Sequence, residues 1–305
     1  TPVIAAVSDV TINEDESSIV TLSATDANGD AITYSAVSDT NAITVSVSSA
    51  TLTLTPNANW HGVANIKAYA SDGISKGFTT FTLSVTPVND APLITAVADD
   101  STNEETEKSI VLSASDIDGD ALTYTATSDT SGVAVTISSD TLKLTPALNY
   151  SGTSVITVIV SDNALTDTTK FDFKVINVND APVIAAVSDV TFAEDTTGSL
   201  VLSATDIDGD AVTYSAKSSS ADVVTTVSKD TLTLTPAANW HGASTITAYA
   251  SDGTMKDSTT FTLTVTAVND APVITAVTND STNEETEKSI VLSASDIDGD
   301  ALTYT

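Results

Sequence analysis

The segment VTLSATDANGDAITY (residues 20–34) alternates apolar and polar residues up to a short acidic turn, after which a second alternating run begins. Val20, Leu22 and Ala24 fall on one side of the first run. A period of two residues is typical of β-strands that bury one face, and Asn-Gly is a frequent turn sequence. The segment is therefore predicted to form two strands joined by a turn.

This segment recurs along the chain at a fixed interval. The acidic turn begins at residues 26, 116, 206 and 296. The tetrapeptide Asn-Asp-Ala-Pro begins at 89, 179 and 269, and 179 − 89 = 269 − 179 = 90. An exact period of this kind indicates a tandem array. The predicted domains are 1–90, 91–180, 181–270 and a partial fourth repeat at 271–305.

The repeats are of two alternating kinds. Repeats one and three share NWHG at 59–62 and 239–242, whereas residues 100–125 and 280–305 are identical to each other. The alternation indicates recent duplication of a 180-residue unit. The chain opens on Thr-Pro-Val-Ile without an initiator methionine, so it is expected to be a piece of a longer array.

Each repeat is predicted to contain seven short strands and no helix. In the first repeat they lie near 9–13, 18–25, 31–37, 43–48, 51–55, 63–71 and 77–86. Seven antiparallel strands in about 90 residues are typical of an immunoglobulin-like sandwich. The predicted fold is therefore all-β, a tandem array of immunoglobulin-like Greek-key β-sandwiches. The chain has no cysteine, so the sandwiches lack a disulfide.

The composition excludes several classes of partner. The 305 residues carry 41 acidic against 10 basic side chains, a formal charge of −31. Such a surface repels nucleic acid and anionic membranes and attracts cations. No apolar run approaches the length of a membrane span, so no membrane insertion is expected.

The acidic turns are expected to meet other polar groups at one end of each sandwich. The Ser-Asp-Gly turn after the sixth strand and the Asn-Asp-Ala-Pro segment should lie at the same end, and the early glutamate of the preceding repeat faces them. Calcium prefers about six to eight oxygen ligands of this kind, and magnesium fits a loose carboxylate cage less well. The predicted first site comprises Glu14, Asn89, Asp90, Asp116, Asp118, Asp120 and Asp162.

The same positions predict sites at the other junctions. Asp30, Asp120, Asp210 and Asp300 close their acidic turns, and capping of the following turn is an alternative role for them. The second site comprises Glu104, Asn179, Asp180, Asp206, Asp208, Asp210 and Asp252. The third comprises Glu194, Asn269, Asp270, Asp296, Asp298 and Asp300. Asp26, Asn28, Asp30 and Asp72 would serve a junction with a repeat that precedes residue 1.

Four motifs in order resemble those of the cadherin repeat. LSATDIDGDALTYT is similar to the cadherin segment that carries Asp-x-Asp, AYASDG to the Ala-x-Asp-x-Gly turn, VNDAPVI to the linker, and NEDES to the segment with the early glutamate. The closest likeness is to cadherin-like tandem repeats of very large bacterial surface and secreted proteins. The resemblance implies calcium between repeats. Residues 53–60 lack the mid-repeat acidic motif of cadherins, so one or two ions per junction are expected.

The expected function is a calcium-rigidified extender of a bacterial extracellular protein that supports adhesion or cell–cell contact. A self-associating filament, sheath or biofilm matrix remains the alternative, with copies of the chain as partners.

Aspartate turns also occur without metal. A glycosidase-like carboxylate pair is disfavoured because the motif repeats identically, and no enzyme is expected. His61 and His241 are interpreted as surface-loop residues. Trp60, Tyr150 and Trp240 are expected to pack, with glycan stacking as the alternative for the tryptophans.

Overall fold

A computed structural model describes all 305 residues, which divide into two compact units, Thr1–Ile176 and Asn177–Thr305. Every regular element is a β-strand. No helix of the chain is long and apolar enough to cross a membrane.

The first unit contains two sandwiches. The strands of the first are β1 Val3–Ile4, β2 Val10–Asn13, β3 Ser18–Thr21, β4 Ala24–Thr25, β5 Thr33–Ser38, β6 Ile43–Ser48, β7 Thr51–Pro56, β8 Gly62–Ser71 and β9 Lys76–Thr86. The strands of the second are β10 Leu93–Ile94, β11 Asp100–Asn103, β12 Lys108–Val111, β13 Ala114–Ser115, β14 Thr123–Ser128, β15 Val133–Ser138, β16 Thr141–Pro146, β17 Gly152–Ser161 and β18 Thr166–Ile176.

The second unit contains the third sandwich and one further strand pair. The strands of that sandwich are β19 Val183–Ile184, β20 Val190–Ala193, β21 Gly198–Val201, β22 Ala204–Thr205, β23 Thr213–Ser218, β24 Val223–Ser228, β25 Thr231–Pro236, β26 Gly242–Ser251 and β27 Lys256–Thr266. The remaining pair is β28 Val273–Ile274 and β29 Ala294–Ser295.

All three sandwiches have the same topology. In the first, a four-stranded sheet has the order β2-β9-β8-β5, and a three-stranded sheet has the order β3-β7-β6. β2 pairs with β9 in parallel, whereas the other pairs are antiparallel. The second sandwich repeats this order as β11-β18-β17-β14 and β12-β16-β15, and the third as β20-β27-β26-β23 and β21-β25-β24. The predicted all-β array of immunoglobulin-like sandwiches is confirmed.

The cores follow from the alternation in the sequence. In β8, Ile66, Ala68 and Ala70 are fully buried, and in β9 Leu83 is fully buried between Phe81 and Val85. Leu52 and Leu54 of β7 face them from the other sheet and join the same cluster. Trp60, Tyr150 and Trp240 each pack against the core of their own sandwich, which confirms the packing prediction.

The predicted strand at 18–25 is divided in two because the chain changes its pairing partner. Thr21 is the last residue paired with β7, and Ala24 pairs with Ile4 of β1. Between them, Leu22 N donates to Ala50 O and Ala5 N donates to Ser23 O, both at 2.8 Å. β1 itself was not predicted, because a two-residue strand has no measurable period. Its pairing brings the start of the repeat against the strand that leads into the acidic turn.

Candidate metal centre

The acidic turn after β13 is closed by the carboxylate of Asp116. Its Oδ1 accepts hydrogen bonds from the N–H groups of Asp118 (3.0 Å) and Asp120 (3.2 Å). Gly119 provides the left-handed backbone of the turn, with φ +81°. The same bonds recur at Asp206 and Asp296, and Asp26 accepts from Asn28 N at 2.9 Å. With Oδ1 occupied in the turn, Oδ2 of Asp116 is buried and has no hydrogen-bond partner.

The turn after β17 holds a second carboxylate in place. Asp162 Oδ1 accepts from Ala164 N (2.7 Å) and Leu165 N (2.6 Å), and its Oδ2 accepts from Asn89 Nδ2 at 2.8 Å. The Asn89 amide, followed by these two backbone donors, lowers the pKa of Asp162, so the carboxylate stays ionised. Asp252 in the second unit is held in the same way by Asn179, Met255 and Thr254.

The Asn-Asp segment connects both turns of the repeat that follows it. Asn89 reaches Asp162, and Asp90 N donates to Asp118 Oδ2 at 2.8 Å. In the second unit, Asp180 N donates to Asp208 Oδ2 at 2.7 Å and Asp270 N donates to Asp298 Oδ2 at 2.6 Å. Asn177, which no prediction included, donates through Nδ2 to Asp208 Oδ1 at 2.8 Å.

Glu14 approaches the same region from the first repeat. It follows β2 directly, its N–H donates to Thr86 O at 3.0 Å, and it is only 4% exposed. Its Oε1 accepts from Val88 N at 2.5 Å, whereas Oε2 is buried without a hydrogen-bond partner. In the second unit Glu194 Oε1 accepts from Val268 N at 2.6 Å, and Glu194 is 3% exposed.

In the first unit these groups converge. Carboxylate oxygens of Glu14, Asp90 and Asp118 lie within 4.8 Å of one another, as do those of Asp116, Asp118 and Asp120. Burial raises the pKa of Asp90, and the neighbouring charges raise it further, led by Asp118 and Asp15. Asp270 in the second unit has its pKa raised by burial and then by Asp298, Asp195 and Glu194.

The donor set fits a hard divalent cation. At the junction of the first two repeats, three oxygens, Glu14 Oε2, Asp90 Oδ2 and Asp116 Oδ2, are buried and accept no hydrogen bond. Buried polar atoms are normally paired, so buried carboxylate oxygens without a partner leave a need for positive charge. Carboxylate and amide oxygens are the ligands that calcium prefers. Glu14, Asp90, Asp116 and Asp118 are the residues best placed to hold such an ion.

The remaining predicted residues occupy related positions. Glu104 follows β11 and is 6% exposed, and its N–H donates to Ile176 O at 2.9 Å. Asp206, Asp208 and Asp210 place carboxylate oxygens within 4.8 Å of one another. At the start of the chain, the amino group of Thr1 lies 3.7 Å from Asp26 Oδ2 and 3.8 Å from Asp72 Oδ2. Asn269 Nδ2 donates to Asp270 O. Asp30 and Asp300 are the last residues of their acidic turns, and Asp300 N donates to Asp296 Oδ1 at 3.2 Å.

Sequence reasoning missed two kinds of residue near the site. Asp15 follows Glu14 with φ +63°, and it accepts Asn59 N at 3.0 Å while it repels Asp90. An acidic residue stands at this position in every repeat, which is a signal that was available. The second kind is histidine. His61 is exposed, as expected of a loop residue, but its Nδ1 lies 3.7 Å from Glu14 Oε2.

Comparison with known proteins then identifies the family. Residues 1–86, 89–174 and 179–266 each match the bacterial Ig domain. The chain belongs to the bacterial Ig domain family. No curated protein matches the sequence.

Solved structures similar to this bacterial Ig domain array include cadherin repeats. Protocadherin gammaB7 EC3–6 is 17% identical with a TM-score of 0.49, and the match covers 91% of this chain and 77% of that one. Drosophila N-cadherin EC1–4 is 15% identical with a TM-score of 0.41, covering 84% and 72%. An endo-fucoidan hydrolase of glycoside hydrolase family 107 is 21% identical with a TM-score of 0.29. The match covers 85% of this chain but only 43% of the hydrolase.

Proposed function

We propose that this bacterial Ig domain array is a calcium-rigidified extender of a large bacterial extracellular protein, which supports adhesion or cell–cell contact. The observation that carries the proposal is the convergence of Glu14, Asp90 and Asp118, where Glu14 Oε2 and Asp90 Oδ2 are buried and accept no hydrogen bond. The proposed units are the repeats 1–90, 91–180 and 181–270, followed by the partial repeat 271–305.

The proposed role is mechanical because the ligands come from different parts of the chain. Glu14 lies in the first sandwich, Asp90 in the segment that joins the first two sandwiches, and Asp118 in the acidic turn of the second sandwich. An ion bound by all three would restrain the second repeat relative to the first. Without it, three carboxylates repel one another at this junction, and the restraint weakens.

Calcium is the ion that best suits both the ligands and the compartment. The ligands are carboxylate oxygens, which calcium accepts in numbers and geometries that magnesium does not. Extracellular calcium modules bind with dissociation constants of roughly 0.1–1 mM. Such a site fills outside the cell and stays empty in the cytosol. The array would therefore be flexible during secretion and stiff afterwards.

The test is small-angle scattering of the chain with and without ~1 mM calcium, a concentration typical for extracellular modules. The test variant Asp90→Asn with Asp270→Asn removes two charges from the proposed sites. The control variant Asp140→Asn with Asp230→Asn removes two charges from exposed turns, where each carboxylate accepts only from the adjacent threonine hydroxyl.

Calcium is expected to lengthen the wild-type and control particles while they stay monomeric, and to change the test variant less. Calcium-dependent assembly would instead support the filament function, with copies of the chain as partners. An unchanged particle in all three proteins would refute the extender function. Glycan binding through Trp60 or Trp240 would be a separate result, measured on a glycan array with Trp→Ala variants.

A further inference from the structure

An imidazole stands beside the buried junction glutamate in two of the three complete repeats. His61 Nδ1 lies 3.7 Å from Glu14 Oε2, and His241 Nδ1 lies 3.5 Å from Glu194 Oε2. The glutamate side chains are 2% exposed, whereas the histidines are 56% and 57% exposed. The same pair therefore recurs in both units, with one member buried and the other at the surface.

The loop that carries the histidine is fixed to the turn that carries the glutamate. Asn59 N donates to Asp15 Oδ1, and Asn239 N donates to Asp195 Oδ1, both at 3.0 Å. The tryptophan before each histidine packs on the core. Gly62, the residue after His61, has φ +144° and packs closely against Trp60. An added Cβ at Gly62 would lie 3.1 Å from the Trp60 ring. The backbone hydrogen bond of Asn59 and the packing of Trp60 therefore hold His61 close to Glu14.

The separation of the two atoms suits a shared metal ion better than a hydrogen bond. An N–H···O hydrogen bond is usually about 2.7–3.2 Å long, so 3.7 Å is too far. Two ligands at about 2.1 Å from a tetrahedral zinc ion lie roughly 3.4 Å apart. The observed 3.5 and 3.7 Å are close to that spacing. Glu14 Oε2 is also buried and has no hydrogen-bond partner.

A second carboxylate lies beside Glu14 in the first unit. Asp90 places a carboxylate oxygen within 4.8 Å of a carboxylate oxygen of Glu14, and Asp90 Oδ2 is likewise buried without a hydrogen-bond partner. One imidazole nitrogen and one carboxylate oxygen from the protein, completed by water, would form a tetrahedral shell. An imidazole ligand shifts preference away from calcium towards zinc and similar transition metals.

We propose that His61 with Glu14, and His241 with Glu194, form a second class of metal site, which takes zinc or a similar borderline divalent cation. The site shares Glu14 with the proposed calcium site and so rests in part on the proposed function. Repeat two carries Ser151 at the histidine position, and a serine hydroxyl is a poor zinc ligand. Transition-metal binding is therefore restricted to alternate repeats.

The test is calorimetric titration of the full chain with zinc, with and without ~1 mM calcium, for wild type and His61→Ser/His241→Ser. Serine is chosen because repeat two carries Ser151 at the equivalent position, so the variant is expected to fold. Wild type is expected to bind two zinc ions, and the variant to lose at least about tenfold in zinc affinity. Calcium affinity is expected to change much less. Equal zinc binding by both proteins would overturn the proposal, because it would mean carboxylate binding alone.

Nitrogen NMR of the histidine side chains gives an independent readout. Zinc is expected to shift Nδ1 of His61 and His241, and a shift of Nε2 alone or no shift would contradict the geometry. Failure of the proposed zinc site can be distinguished from failure of the proposed calcium-dependent extender function. Loss of zinc binding in the variant with no calcium effect on wild type would remove the extender function and leave the zinc site standing.

Discussion

Asp90 is the residue at which the repulsion in the first junction is most evident. Burial and the charges of Asp118, Asp15, Glu14 and Asp116 all raise its pKa. A carboxyl group whose folded-state pKa is raised favours the folded state while it is protonated. In calcium-free buffer its contribution to stability therefore falls as pH rises through the ordinary and then the raised pKa. A bound cation would offset the repulsion between the carboxylates and so remove this loss of stability.

Replacement of Asp90 by asparagine should therefore have opposite effects with and without calcium. In EDTA, Asp90→Asn is expected to raise Tm, because it removes a charge that its neighbours repel. With ~1 mM calcium, wild type should gain about 0.4–1.4 kcal/mol per ion, and the variant should gain less. Thermal unfolding in the two buffers measures both effects. An unchanged calcium gain in the variant would exclude Asp90 as a ligand.

Asp39 provides an acid-sensitive contact away from the metal site. Its Oδ2 accepts from Asn65 Nδ2 at 2.7 Å and its Oδ1 from Asn65 N at 2.9 Å, and these bonds lower its pKa. A lowered folded-state pKa stabilises the fold above the ordinary carboxyl value. This contribution is lost as pH falls through the lowered value.

Repeat three has Ser219 at the Asp39 position, where its Oγ accepts from Thr245 N at 2.9 Å. We therefore expect Asp39→Ser to keep the fold and to remove this acid-dependent part of the stability of repeat one. The carboxyl resonance of Asp39 and the unfolding of the variant between neutral and acidic pH provide the measurement. A variant with the same acid sensitivity as wild type would show that the contact is not the cause.

At the scale of elements, the strands could be predicted from the sequence because their alternation follows the buried face. In β8, for example, Ile66, Ala68 and Ala70 stand two residues apart in the sequence, and all three are fully buried. The position of the acidic turn could be predicted as well, since turn residues separate two such runs. The contact between His61 and Glu14 could not, because it joins residues 47 positions apart in the chain and depends on how a loop folds back.

The second sandwich offers a matched pair of leucines for testing the core. Leu144 of β16 is fully buried, whereas Leu148 in the following loop is 79% exposed. Leu144→Ala is expected to cost about 2–5 kcal/mol, through lost transfer energy and a cavity. Leu148→Ala should change stability by less than about 0.5 kcal/mol. Urea unfolding of the chain measures both, and equal costs would contradict the assigned faces.

At the scale of the whole molecule, specific binding must be separated from simple screening. A chain with a formal charge of −31 repels itself, so any salt will stabilise it to some extent. Screening depends on ionic strength, and ~1 mM calcium chloride contributes only about 3 mM ionic strength, which leaves a Debye length well above 10 Å. Screening at that concentration cannot account for a large rise in Tm.

We therefore expect ~1 mM calcium to raise Tm more than sodium chloride of the same ionic strength. The same concentration of magnesium should have an intermediate effect, since it binds such a cage less well. Scanning calorimetry and sedimentation velocity in the three salts would show stability and particle shape together. If the three salts act alike, the acidic turns only contribute charge and solubility. If calcium alone acts, the repeated carboxylates are ligands, and the charge that destabilises the ion-free chain is what binds the ion.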